Sequence, residues 1–170
     1  VERHLATVWE SVADAVPDSV ALVQGSVRRS FAELDDRAAR LAAGLLAAGL
    51  GPGSKVALYL YNSPEYLESY FAALKVRAVP INVNYRYLDD ELLYLLHDSE
   101  AEALVFHTEL GARVARVRER ATRLRRLVAV DDGGGSDAGA ERYEEVLAGS
   151  APAPRIRRSA DDLTMTYTGG

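Results

Sequence analysis

An alternation limits the fold of this chain more than any other feature. Four short apolar runs, KVALYLY (55–61), AVPINV (78–83), EALVFH (102–107) and LVAV (127–130), are separated by stretches with apolar residues at helical spacing. Strand, helix, strand, helix at this spacing predicts parallel strands joined by crossover helices. The right-handed crossover rule then gives an α/β fold, a doubly wound, mostly parallel sheet flanked by helices. Pro80 places its run near an edge or gives it an irregular start.

Local punctuation supports the alternation. Leu5, Val8, Trp9, Val12 and Val16 trace an amphipathic opening helix. VALVQGSVRRSF reads as two short strands around Gly25-Ser26. Ser30 and Glu33 have capping-box spacing, and the helix behind them (Leu34, Ala38, Leu41, Leu45) closes at Gly49. Ser63-Pro64-Glu65 starts another helix, with Leu67, Tyr70, Phe71 and Leu74 as its buried face. Asp89, Asp90 and Glu91 suit the positive end of a third helix carrying Leu92, Leu93, Leu95 and Leu96. Leu110, Val114, Val117, Ala121 and Leu124 trace a fourth. Residues 131–141 and 149–162 read as flexible loops, and a strand from Leu163 to Thr168 runs into Gly169-Gly170. No internal repeat is visible.

Composition narrows the function classes. The chain has 170 residues, 48% apolar and 26% charged, which suits one soluble globular domain. A net charge of −5 argues against a nucleic-acid partner, because phosphate neutralisation needs a basic face. The absence of cysteine excludes disulfides, thiolate metal sites and a cysteine nucleophile. No run is long enough for a transmembrane segment, and Glu10 and Asp14 interrupt the only candidate leader, so the cytoplasm is the expected compartment. Val1 in place of methionine reads as a trimmed front.

Few residues suggest chemistry by type alone. Thr166, Thr168, Gly169 and Gly170 could wrap a phosphate, with glycine amides and threonine hydroxyls as donors; an ordinary turn is the simpler reading. The arginines at 113, 116, 118, 120, 123, 125 and 126 could meet a polyanion, but an apolar stripe on the same helix assigns them to its solvent side. His4, His97 and His107 have no ligand spacing and read as local hydrogen-bonding groups. Tyr85 and Tyr87 follow a strand, where sheets of this kind place ligands, although packing is the commoner role. The adjacent acids Asp35-Asp36, Asp89-Asp90 and Asp161-Asp162 point apart on a helix and are assigned to no catalysis.

In order as well as type, the chain from SFAELDDRAARL through GPGSKVAL, NSPEY and INVNYRY resembles the N-terminal part of acyl-CoA synthetases. These belong to the adenylate-forming superfamily, and the bacterial fatty-acyl-CoA ligases are the most similar group. The resemblance covers roughly residues 5–170. In this family Tyr-Thr-Ser/Gly-Gly-Thr-Thr-Gly-x-Pro-Lys-Gly is the loop that holds ATP phosphates, and YTGG (167–170) matches its first four positions. The resemblance therefore implies that Thr168, Gly169 and Gly170 bind ATP, and that the sequence is truncated inside the phosphate loop. It implies an enzyme that uses ATP with Mg²⁺ to turn a carboxylic acid, expected to be fatty, into an acyl-adenylate and passes it to CoA. The rest of the large domain and the C-terminal lid would lie beyond residue 170, so no catalytic residue is assigned and the 170 residues alone are expected to be inert. Val76-Arg77 stands where the family has Ala-Gly, which costs a tight glycine turn.

The rival reading is a stand-alone Rossmann-like module that binds a nucleotide or pairs with itself without catalysis. The sequence just downstream separates the two. Apolar faces left uncovered should make the isolated piece self-associate or be marginally soluble, with a homodimer carried as a partner state.

Overall fold

The computed structural model describes residues 4–167. Helix α1 (Leu5–Ala15) starts at His4, whose Nδ1 accepts a hydrogen bond from the Ala6 N–H at 3.1 Å. Strands β1 (Val20–Gln24) and β2 (Val27–Ser30) form the expected antiparallel hairpin. Helix α2 (Phe31–Ala47) opens on the expected capping box: Ser30 Oγ accepts from the Glu33 N–H at 3.2 Å and Glu33 Oε2 accepts from the Ser30 N–H at 2.8 Å. Helix α2 ends before Gly49, whose φ of 74° is left-handed.

The main sheet is built from β3 (Lys55–Tyr59), β4 (Val79–Asn82), β5 (Ala103–His107), β6 (Arg126–Val130), β7 (Glu141–Arg142) and β8 (Met165–Thr166). Their order is β7-β6-β5-β3-β4-β8 and every pairing is parallel. Helix α3 (Pro64–Lys75) connects β3 to β4, and α4 (Asp89–Asp98) carries the chain back across β3 to β5. Helix α5 (Gly111–Val117) precedes β6, and α6 (Tyr143–Ala148) follows β7.

Strand alternation sorts the core into two layers. Val56, Leu58 and Leu60 pack with Leu41 and Leu45 of α2, Ala72 of α3 and Val146 of α6. Ala57 and Tyr59 pack on the other face with Leu92, Leu95 and Leu96 of α4 and Val114 and Val117 of α5. A doubly wound α/β/α sandwich results, as the alternation predicts. Gly44 sets the spacing on the first face, because a Cβ there would come within 2.6 Å of Val146 Cγ1.

Several expectations need correction. The helix expected from Leu110 to Leu124 is a 3₁₀ turn (Thr108–Leu110) followed by α5, which stops at Val117. The amides of Arg125 and Arg126 both bond the Glu102 carbonyl, at 2.8 and 3.3 Å, so the chain must turn back early to enter β6. Ala121 and Leu124 still pack on the α4–α5 layer from that turn. Strand β8 pairs only Met165 and Thr166, and Leu163 is 68% exposed. Leu67 and Tyr70 are half-buried, while Glu68 between them is fully buried. It accepts from Arg37 Nε and Tyr143 Oη, both at 2.8 Å. The opening helix is amphipathic in the reverse sense: Leu5, Val8, Val12 and Val16 face outward and Ala6, Glu10 and Ala13 face in.

Glu10 is admitted to the interior by an ion cluster. Lys75 Nζ lies 2.7 Å from both Glu10 Oε1 and Asp35 Oδ1, and the Arg158 guanidinium forks onto Glu10 at 2.7 and 2.8 Å. Residues 149–162 have no regular secondary structure, but they are tied down. The Ala153 N–H bonds Ala39 O at 2.9 Å, Arg155 forks onto Asp14, and Arg158 donates to Glu10.

Candidate functional site

The chain reverses direction across the sheet at β3, sending α3 to one side and returning α4 to the other. Doubly wound sheets open a crevice at the carboxyl ends of strands near such a reversal. Here a cavity of about 370 Å³ lies beyond the ends of β3, β4 and β8. Tyr66, Tyr85, Tyr87 and Tyr167 form its walls, and the amides of Asn62, Asn82 and Asn84 give it polar groups.

The wall made by residues 83–88 is held from beneath. The Val83 N–H bonds Leu58 O at 3.0 Å. Tyr59 is fully buried and donates its hydroxyl hydrogen to Tyr87 O at 2.6 Å. Arg113 donates to Tyr59 Oη (3.0 Å), Tyr85 O (3.0 Å) and Tyr87 O (3.2 Å). Burial pushes the Tyr59 phenol up, so it remains a donor at neutral pH. Sequence periodicity had placed Arg113 on a solvated face. The residues it holds come from two separate segments, the end of β3 and the loop after β4, which no local pattern reveals. Of the other arginines of the run, Arg116 pairs with Asp89, Arg123 with Glu100, Arg125 with Glu102 and Arg126 with Glu141.

Tyr85 packs against Tyr61 at 4.9 Å between ring centroids, and Tyr61 stacks on His107 at 5.4 Å. His107 Nδ1 accepts the Tyr61 N–H at 3.0 Å, so the ring serves the end of β3. Burial lowers its pKa, and the neutral ring is the form this acceptor role requires. His4 bonds the Ala6 amide close by in sequence, whereas His97 reaches the Arg120 carbonyl, a partner its spacing did not indicate. One of the adjacent acid pairs divides between partners: Asp35 meets Lys75 while Asp36 meets Arg40. Asp89 meets Arg116, and Asp162 meets Arg77.

The predicted ATP-binding residues Thr168, Gly169 and Gly170 lie outside the described residues. Their approach is described. Strand β8 pairs Ile81 with Met165 and Asn82 with Thr166, which brings the chain up beside the cavity. The Tyr167 hydroxyl donates to Asp98 Oδ2 at 2.7 Å, and burial and that carboxylate push the phenol up to about 12. Among the described residues no three His, Cys, Asp or Glu side chains are grouped to hold a metal ion. The amides and phenols of the cavity do not suit Mg²⁺, which takes carboxylate and phosphate oxygens.

The site is thus a tyrosine-walled cavity at the carboxyl edge of a doubly wound sheet, with Tyr167 after the last strand on its rim. Residues 9–170 match the family model described as AMP-binding enzyme, and the chain belongs to that family. It is 40% identical to the medium-chain acyl-CoA ligase Mig of Mycobacterium avium, covering 96% of this chain and 32% of that protein. It is 39% identical to a 3-oxocholest-4-en-26-oate–CoA ligase of Rhodococcus rhodochrous, covering 98% of this chain and 31% of that one. The chain thus spans about a third of the length of the curated relatives it matches. Among solved structures, a putative long-chain-fatty-acid CoA ligase from Rhodopseudomonas palustris superposes with a TM-score of 0.84 at 28% identity, covering 96% of this chain and 41% of that one. No helix among the described residues is long and apolar enough to cross a membrane.

Proposed function

We propose that this chain is the N-terminal part of a cytoplasmic, AMP-forming acyl-CoA ligase that acts on a fatty acid. In the complete enzyme the substrate carboxylate attacks the α-phosphate of ATP, pyrophosphate leaves and an acyl-adenylate forms. The CoA thiol then attacks the acyl carbonyl and AMP leaves. Thr168, Gly169 and Gly170 offer a hydroxyl and backbone N–H groups to the phosphate oxygens. The single observation that carries this reading is the placement of β8, paired to β4 at the carboxyl edge of the sheet, immediately before YTGG.

Residues 1–170 supply the approach to the phosphate loop, and the acyl pocket and lid belong to later sequence. The test is pyrophosphate exchange and acyl-CoA formation by the complete ligase over a panel of fatty and aryl acids. Fatty acids are expected to be the better substrates; preference for an aryl acid would overturn that assignment. Thr168→Val removes one donor to a charged acceptor and should raise the KM for ATP roughly tenfold, with no change in the KM for the acid. Acyl-AMP formation by the 170-residue chain alone would refute the view that catalysis needs the rest. The outward stripe Leu5, Val8, Val12 and Val16 supports self-association as a homodimer, which sedimentation of the isolated chain would measure.

A further inference from the structure

Arg77 stands immediately before Ala78 and the start of β4 with φ of 63°, a left-handed backbone that crowds any residue with a Cβ. Its amide bonds Leu74 O at 3.1 Å and its carbonyl accepts the Gly53 N–H at 2.9 Å, so this turn is closed on both sides. Glycine would meet the same backbone demand without crowding. What arginine adds is a reach across to the neighbouring strand. Its Nε donates to Asp162 Oδ2 at 2.9 Å and its Nη2 to Oδ1 at 2.8 Å, a two-pronged contact. Asp162 is largely buried: its side chain is 11% exposed, it accepts from the Ser159 N–H at 3.3 Å, and it lies 3.4 Å from His4 Nε2. Because His4 Nδ1 accepts from Ala6, the proton of the neutral ring is on Nε2 and faces this carboxylate.

The fork has a definite place in the sheet. Arg77 lies four residues before Ile81 and Asp162 three before Met165, and Ile81 and Met165 are register partners. That register carried back would set Arg77 opposite residue 161, so the fork to Asp162 is no further rung but a side-chain bridge on the entry side of the β4–β8 ladder. That ladder joins only two residue pairs, and β8 is the outermost strand on its side of the sheet. So short a ladder specifies register weakly, and a slip of one residue would exchange the two faces of the strand. Met165 and Tyr167, which pack on the α4–α5 layer, would then trade places with Thr166.

We infer that the Arg77–Asp162 fork sets the register of β8, which makes Arg77 a positioning residue for the strand that brings Tyr167 to the cavity wall. The functional half of this inference rests on the ligase reading; the register half does not. Tyr167 on Asp98 and Arg158 on Glu10 hold the same strap from above and below, and the fork is the contact between them that reaches β4's own entry turn.

Two variants separate the role from simple stability. Arg77→Gly relieves the crowded backbone and removes the fork, while Asp162→Asn leaves the backbone of residue 77 alone and removes the charge. In the 170-residue chain, amide hydrogen exchange at Met165, Thr166 and Tyr167 should speed up at least tenfold in both, with β3 and β5 amides unchanged. Unaltered exchange at those three amides in both variants would overturn the inference. In the complete ligase both variants should raise the KM for ATP roughly tenfold and leave the KM for CoA unmoved, whereas loss of folded protein would lower activity without moving KM. Faster exchange with an unchanged KM for ATP would overturn the functional half alone. A wild-type complete protein lacking ATP-dependent acyl transfer would overturn the ligase reading instead, and the exchange result would still decide the register.

Discussion

Replacing Glu10 with alanine should unfold this domain more readily than any surface change, and the cost can be worked from its partners. Glu10 is 4% exposed, and its two oxygens accept from Lys75 at 2.7 Å and from Arg158 at 2.7 and 2.8 Å. Burial pushes its carboxyl up, yet the hydrogen bonds from Arg158 and Lys75 win and hold it below its ordinary value. Without the carboxylate, Lys75 keeps Asp35 at 2.7 Å. Arg158, itself 4% exposed, keeps among the described residues the neutral oxygens Lys75 O at 3.3 Å and Thr7 Oγ1 at 3.4 Å. An uncompensated buried cation of this kind costs about 3–5 kcal/mol. In a domain of this size that lowers Tm by about 6–20 °C. Equilibrium urea unfolding followed by the single tryptophan, Trp9, reads it directly, because Trp9 is on the same helix and stacks on Phe71 at 4.3 Å. Replacing both members, Glu10→Met with Arg158→Leu, removes the charge imbalance and should cost less than Glu10→Ala alone. A single variant within about 1 kcal/mol of the parent, or a double variant no better than the single, would refute the reasoning.

Two further outcomes follow from the same coordinates. Gly44→Ala should destabilise by about 1–3 kcal/mol despite alanine's better helix propensity, since its Cβ meets Val146 Cγ1 at 2.6 Å, and Val146→Ala should restore much of the loss in urea unfolding. Stability should also fall on acidification in two stages. Burial holds His107 and His4 below 6.5, so their contribution is complete above that pH and is lost as pH falls through their folded values. Asp162 and Glu144, held down by hydrogen bonds from Arg77 and Arg37, lose theirs only below their ordinary values of 3.8 and 4.5. His107→Asn should flatten the upper stage of the urea midpoint against pH, and an unchanged profile would remove His107 from the account.

The local rules were legible because their causes are local. The Ser30–Glu33 box, the Ser63 cap and the end of α2 at Gly49 each depend on groups within a few residues, and each stands where the pattern put it. The alternation of parallel strands and crossover helices came the same way, from run lengths and spacing, and resemblance supplied the meaning of YTGG. Periodicity also grouped Leu5, Val8, Trp9, Val12 and Val16, of which Trp9 packs inward on Phe71 and the other four are exposed. It could not say which way each face of α1 points, because direction depends on what else is packed beside the helix.

Tertiary structure decided those questions. The inward face of α1 went to Glu10 because Lys75 and Arg158, from distant parts of the chain, converge there to neutralise it. Arg113 became the clamp of the cavity wall because Tyr59, Tyr85 and Tyr87 meet only once the sheet has formed. Arg77 looked like the loss of a glycine until Asp162 came beside it. The sequence by itself determined most of the strands and helices, their caps and the family; long-range charge pairing and strand register, which have no signature shorter than the fold, decided where α5 stops, which faces are inward and where the last strand points.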